Sequence, residues 1–227
     1  MLIEYDHLSP SEAIALQQEL RQQIQLKPLE KPVATIAGAD ISFNKYSTTV
    51  YAGIVVLSFP ELQVIEKAAV TDSTDFPYIP GLLAFREVPA LAKAWEKLAI
   101  KPDVLVLDGH GIAHPRRMGI AAHFGVVMQT PTLGCAKSLL AGRYEEPGNE
   151  PPAYTDLVHQ KEIVGKVLRT KKNCKPVFVS PGNLITMDES IQLILQCIRK
   201  YRIPEPTRLA HNYVNEVRTV APQSPPE

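Results

Sequence analysis

The chain has 227 residues, enough for one substantial core, and its 24 Lys and Arg against 24 Asp and Glu give a formal net charge of zero, which argues against an indiscriminate polyanion binder. No stretch approaches the roughly 18 uninterrupted apolar residues of a membrane span, and the N-terminus lacks a basic segment followed by an apolar one. Membrane insertion and secretion are therefore unsupported, and a cytoplasmic protein is expected. The three cysteines, Cys135, Cys174 and Cys197, have no paired spacing and read as reduced thiols.

In chain order, Ser9-Pro10-Ser11-Glu12 reads as a helix start, with a cap, proline in the first turn and the glutamate of a capping box. Leu16, Leu20 and Ile24 then make one apolar stripe, so this helix is scaffold. Val33 to Ile41 is a strand interrupted near its end by Asp40. Asn44-Lys45 predicts a turn, Thr48 to Phe59 a second strand, Pro60-Glu61 another tight connection, and Leu62 to Thr71 a third strand. Three strands joined this closely predict an antiparallel meander. Phe76-Pro77-Tyr78-Ile79-Pro80-Gly81 is a stiff loop, because its two outer prolines fix local dihedrals. Its Tyr78 and Ile79 are either a wedge for a base stack or a plug over the core. Leu82 to Leu98 follows as a helix that Pro89 divides, with Glu87 just ahead of that proline.

Val104 to Leu107 is a buried strand that ends on Asp108-Gly109-His110-Gly111. An acid at the C-terminal end of such a strand is where open α/β folds keep their chemistry. Gly119 to Met128 reads as a helix, Thr132 to Cys135 as a short strand with Lys137 just beyond it, and Glu145 to Pro152 as an exposed loop. Glu162 to Thr170 and Pro176 to Val179 are two more strands, Met187 to Tyr201 is a helix, and a final helix carries Arg208 and His211. The last residues, 221–227, are expected to be disordered. The order β-β-β-α-β-α-β over the first 140 residues is that of a ribonuclease-H-like α/β fold, a mixed central sheet with helices on both faces, in one domain over residues 1–220.

This topology generates a site. If the first strand lies parallel to the fourth, Asp40 and Asp108 end side by side, where two carboxylates repel unless a proton or a cation intervenes. Hard oxygen ligands select Mg²⁺, with Mn²⁺ as a substitute, and Glu87 from the helical layer either completes the cluster or lies at the surface. Charge is also unevenly placed. No acid occurs from Gly109 to Tyr144, a stretch holding Arg116, Arg117, Lys137 and Arg143, and a second run holds Lys161, Lys166, Arg169, Lys171, Lys172 and Lys175 against Glu162. These runs are either solvated surface or one positive face for a polyanion.

Seven ordered segments carry a resemblance. Ile36-Ala37-Gly38-Ala39-Asp40, Phe76-Pro77-Tyr78-Ile79-Pro80-Gly81, Phe85-Arg86-Glu87, Asp108-Gly109-His110-Gly111, His114-Pro115-Arg116-Arg117, Gly134-Cys135-Ala136-Lys137 and Pro206-Thr207-Arg208-Leu209-Ala210-His211 resemble the signature segments of the endonuclease V family, the deoxyinosine 3′ endonucleases. Cys135 stands where many members carry valine, a mild departure, since a buried thiol packs as a small hydrophobe. The resemblance implies hydrolysis of the second phosphodiester bond 3′ to a deaminated adenine, leaving 3′-hydroxyl and 5′-phosphate ends.

Asp40, Asp108 and Glu87 match the family's metal carboxylates, Lys137 the lysine near the scissile phosphate, His211 a position filled by His or Asp, and Tyr78 the wedge tyrosine. The implied nucleic-acid contacts are Pro77, Tyr78, Ile79, Pro80, Gly81, Arg86, Gly109, Gly111, His114, Arg116, Arg117 and Gly134. Gly81, Gly109, Gly111 and Gly134 are read as exposed backbone for the base, and the arginines as phosphate contacts or surface ion pairs. Inosine-containing DNA is the implied partner, RNA the nearest alternative, and a monomer is expected. A junction resolvase would share the acids without the Pro-Tyr-Ile-Pro loop. A silent binding module fits less well, because none of the acids has been lost.

Overall fold

The computed structural model describes residues 5, 7–44 and 47–220. The expected tail at 221–227 lies outside them. Helix α1 (Pro10–Arg21) begins on the capping box read from the sequence, the Ser9 side chain accepting from the Glu12 amide while Glu12 reaches back to the Ser9 amide. The meander follows as β1 (Thr35–Phe43), β2 (Thr49–Ser58) and β3 (Val64–Ser73), paired antiparallel in sequence. After helix α2 (Leu83–Glu96), strand β4 (Val104–Leu107) joins the other side of β1 in parallel, Ala39 opposite Leu107 in the last pair. Helix α3 (Ile120–Met128) then crosses to β5 (Thr132–Ala136), which pairs parallel to β4.

Beyond β5 come β6 (Tyr154–His159), β7 (Glu162–Leu168) and β8 (Val177–Asn183), so the eight-stranded sheet has the order β3-β2-β1-β4-β5-β8-β7-β6. This is the expected ribonuclease-H-like mixed sheet. Alternation along β4 sends Leu105 and Leu107 to the core under α2 and α3. Val104 and Val106 go to the core under α4 (Met187–Gln196) and α5 (Glu205–Val220). By the same alternation Asp108 leaves the strand end toward the α5 side.

Three expectations change. Strand β6, just past the loop expected at Glu145 to Pro152, was not anticipated; it is an exposed edge joined to β7 by Gln160 and Lys161, both at positive φ (53° and 67°), the geometry of a two-residue hairpin turn made without Asn or Gly. Pro89 lies inside an unbroken α2 and does not divide it. Helix α4 stops at Gln196 instead of continuing to Tyr201, because the chain folds back there and the Glu205 amide donates to the Cys197 carbonyl at 3.0 Å. No helix among the described residues is long and apolar enough to cross a membrane.

Helix α5 crosses β1 at Gly38, where an added Cβ would stand 1.9 Å from the Pro206 carbonyl oxygen. Backbone cannot yield there as a side-chain tip can. Gly38→Ala is therefore expected to displace α5 and its His211, costing about 1–3 kcal/mol as core overpacking does. A thermal melt indistinguishable from wild type would show that the crossing is looser than described.

Candidate active site

Parallel pairing of β1 and β4 brings Asp40 and Asp108 together, and the Asp108 amide closes the register by donating to the Ala39 carbonyl at 3.2 Å. From α5, His211 Nδ1 lies 2.7 Å from Asp40 Oδ2, while the other oxygen of Asp40 accepts from the Ile41 amide at 2.9 Å. Asp40, Asp108 and His211 each offer a ligand atom within 4.8 Å of the others. Burial, then the Asp108 charge, pushes the Asp40 carboxyl above its ordinary range. Two oxygen donors and one imidazole, held together against their own repulsion, suit a divalent cation.

Lys137, one residue past β5, sets its ammonium against Asp108. Glu87 enters from α2 on the other side, almost wholly buried, and stays outside the three-residue group; His211 occupies the place in it that the sequence reading offered to Glu87. Burial first, then Asp40, pushes the Glu87 carboxyl up to about 8. Glu87, Asp108 and Lys137 share a cavity of about 370 Å³ with Tyr78, Pro80, Gly81, Gly109 and His114. Its apolar wall of Leu83, Met118, Ile120, Leu139 and Leu140 was not singled out in the sequence, although two consecutive leucines after Lys137 in a loop were a signal.

The stiff loop divides its side chains. Tyr78 projects into solvent at 64% exposure, whereas Ile79 packs against the cluster of Phe76, Leu82 and Phe85. Pro77 is exposed outside the cavity wall.

Several expected nucleic-acid contacts are engaged internally. Arg117 is buried, bonded to the His159 carbonyl and paired with Glu162 at 2.8 Å. Arg86 donates to the carbonyls of Phe76 and Ser47 at 2.8 and 3.0 Å, bracing the loop from below. Arg116 donates to the Gly81 carbonyl at 2.8 Å and to Gln17 at 2.5 Å. Gly111 packs its α-carbon against the Pro181 carbonyl and gives its amide to Ser180 Oγ, and Gly134 is pressed against the backbone of residues 109–111. Of the four glycines read as base-facing backbone, Gly81 and Gly109 line the cavity.

A family model for endonuclease V matches residues 18–212. The chain belongs to the endonuclease V family. It is 46% identical over 215 residues to endonuclease V of Gloeobacter violaceus, a match covering 93% of this chain and 87% of the relative. The crystal structure of the Streptomyces avermitilis endonuclease V superposes with a TM-score of 0.89 at 38% identity over 94% of each chain. Endonuclease V of Ciona intestinalis, solved in complex with a 24mer DNA containing an inosine followed by a ribo-adenosine, superposes with a TM-score of 0.82 at 28% identity, covering 92% of this chain and 97% of that one. Hydrolytic nuclease activity follows from the family.

Glu87 carries a measurable cost. Between its ordinary value of 4.5 and about 8 the folded protein holds a proton that the unfolded chain has released, so this residue destabilises the fold increasingly as pH rises through that window. In metal-free protein Glu87→Gln is expected to melt higher than wild type, with a gap growing from near zero at about pH 5 to about 5 °C or more at about pH 8. Melting curves across that range check it; a gap independent of pH would rule out the buried proton.

Proposed function

We propose that this chain is a Mg²⁺-dependent endonuclease that recognises deoxyinosine in DNA and hydrolyses the second phosphodiester bond on its 3′ side, leaving 3′-hydroxyl and 5′-phosphate ends, with Mn²⁺ able to substitute. The observation that carries the reading is one continuous site. Asp40, Asp108 and His211 form a cluster that could hold a cation, and Lys137 and Asp108 line the adjoining cavity beside an exposed Tyr78. The inosine-bearing DNA on the Ciona relative supports the same assignment.

Asp40 and Asp108, with His211 beside them, would hold the cation, which when bound would supply a nucleophilic water and charge neutralisation at the phosphate. The Lys137 ammonium offsets the charge growing on the non-bridging oxygens, a role worth orders of magnitude in a water-excluded site. With its Nδ1–H donated to Asp40, His211 leaves Nε2 as an acceptor, 3.3 Å from the Asn215 amide, where it can orient water or take its proton. Glu87, protonated in the metal-free site, gives up that proton where a nearby cation favours its charged form. Hypoxanthine differs from adenine in presenting a carbonyl and a ring N–H, a pattern that backbone donors and acceptors along the cavity can read.

A second reading, an inosine-specific endoribonuclease, is favoured by one observation: the inosine in the Ciona complex is followed by a ribonucleotide. Asp40, Glu87 and Asp108 do not by themselves distinguish a 2′-hydroxyl from hydrogen. Metal-dependent cleavage of matched single- and double-stranded DNA and RNA, each with one inosine and mapped at nucleotide resolution, decides between them. Cleavage one nucleotide beyond the lesion in DNA is expected, and Asp108→Ala should abolish it while binding survives. Turnover by Asp108→Ala in Mg²⁺ would remove the assignment of that residue.

Tyr78 tests recognition. At 64% exposure its ring contributes little to the fold, so Tyr78→Ala should melt like wild type. Extruding a base from a duplex costs a few kcal/mol, which an inserted aromatic ring partly offsets and which an unpaired strand does not incur. Tyr78→Ala is therefore expected to weaken binding and single-turnover cleavage more on duplex than on single-stranded inosine DNA. Equal rates and affinities for wild type and variant on both would eliminate the wedge.

A further inference from the structure

The carbonyl oxygen of Gly81, at the foot of the Pro77–Pro80 loop, receives three donors. Gln17 Nε2 lies at 3.0 Å, His114 Nε2 at 3.1 Å and an Arg116 guanidinium nitrogen at 2.8 Å. The donors also fix one another. Gln17, fully buried on α1, gives its second amide proton to the Met118 carbonyl at 3.1 Å and accepts from Arg116 Nε at 2.5 Å, so both amide protons and one acceptor position of its side chain are used and its orientation is set. His114 Nδ1 accepts from the Arg116 amide at 3.1 Å, which leaves the proton on Nε2, aimed at Gly81.

A carbonyl that already accepts three bonds has no lone pair left to read a base, although Gly81 lines the cavity. Its use is mechanical. Gly81 sits at φ +82°, and an added Cβ there would meet the Arg116 guanidinium at 3.0 Å. Leu82, the next residue, closes the loop by donating to the Ile79 carbonyl at 2.9 Å. Arg86 braces the near end of the same loop through the Phe76 carbonyl. The loop is thus pinned at both ends, with Tyr78 outermost between the pins.

We infer that Gln17, with Arg116, is a positioning residue for base recognition. It holds the Gly81 carbonyl, and so the angle at which Tyr78 enters the base stack, without touching the nucleic acid. This rests on the wedge reading of Tyr78 given above. It assigns to α1 a part in duplex recognition, through a residue one position ahead of the segment matched by the family model.

The test measures single-turnover cleavage and affinity for inosine DNA, single-stranded and duplex, by wild type, Gln17→Leu, Tyr78→Ala and the double variant, with melting curves alongside. A misplaced wedge should cost duplex cleavage about 10- to 100-fold. Single-strand cleavage should stay within about threefold of wild type, because an unpaired base needs no extrusion. If Gln17 acts through the loop, the double variant is no worse on duplex than Tyr78→Ala; losses that multiply would overturn the proposal, since independent sites add in free energy. Equal losses on both substrates with an unchanged melt, or no loss on either, would also overturn it. Should Gln17→Leu fail to fold, Arg116→Gln, at a half-buried position, takes its place in the same cycle with the same criteria. Wild-type protein indifferent to inosine would instead remove the underlying reading, whatever the variants do.

Discussion

Asp40 and Asp108 are carried to adjacent positions by a backbone register that leaves them no room to separate. The Asp108 amide is bonded to the Ala39 carbonyl, so neither acid can move without breaking the parallel pairing of β1 and β4. Two like charges held this way, one of them largely desolvated, cost free energy that a lone Lys137 and one imidazole answer only in part. Much of the architecture serves this arrangement. The meander places β1 next to β4, the α2 crossover makes that pairing parallel, and the bare α-carbon of Gly38 lets α5 approach closely enough for His211 to reach Asp40.

The alternation of side chains along a strand explains how the carboxylate pair and the cavity come to face different sides of the sheet. Asp108 leaves β4 on the α5 side, with Asp40, Lys137 and His211. The cavity opens toward α2 and α3, walled by Leu83, Ile120 and the loop after β5. Glu87 comes from the second side and Asp108 borders both. On the proposed function, a nucleic-acid strand lying across the sheet edge would meet the cavity and the carboxylates at different nucleotides, in keeping with cleavage displaced from the lesion.

What was legible in the sequence is what local pattern encodes. The strand ending in Asp108 shows as four consecutive aliphatic residues, the meander as three β-rich runs with tight connections, and α1 as a capping box. Strand β6 was hidden because it is a half-exposed edge, and its turn uses Gln160 and Lys161 where Asn-Gly would have announced a hairpin. The basic runs misled for a related reason: a linear reading sees Arg117 and Arg169 as free cations, but their acceptors lie at Glu162 and His159 for one and at Glu146 for the other. The apolar stripe of α1 read from Leu16, Leu20 and Ile24 does pack on the core, but its most buried face also takes in Ala13 and Gln17. A glutamine at the centre of a buried stripe becomes intelligible only once its three partners are seen.

Those internal arginines change the electrostatic account of a neutral protein that handles a polyanion. Arg86, Arg116, Arg117 and Arg169 spend their guanidinium groups on carbonyls, Gln17 and acids inside the fold, so the formal positive charge of these segments is not a phosphate-binding surface in proportion to its count. Where β1 and β4 end, the fixed charges are Asp40, Asp108 and Lys137, with Glu87 neutralised by burial. A phosphodiester approaching them meets a site whose own sign opposes it. A bound divalent cation is the largest local charge and reverses that sign. On the proposed function, ion and phosphate belong to one electrostatic unit: the acids would hold the cation against their mutual repulsion, and the cation together with Lys137 would make the edge attractive to the backbone that is to be cut.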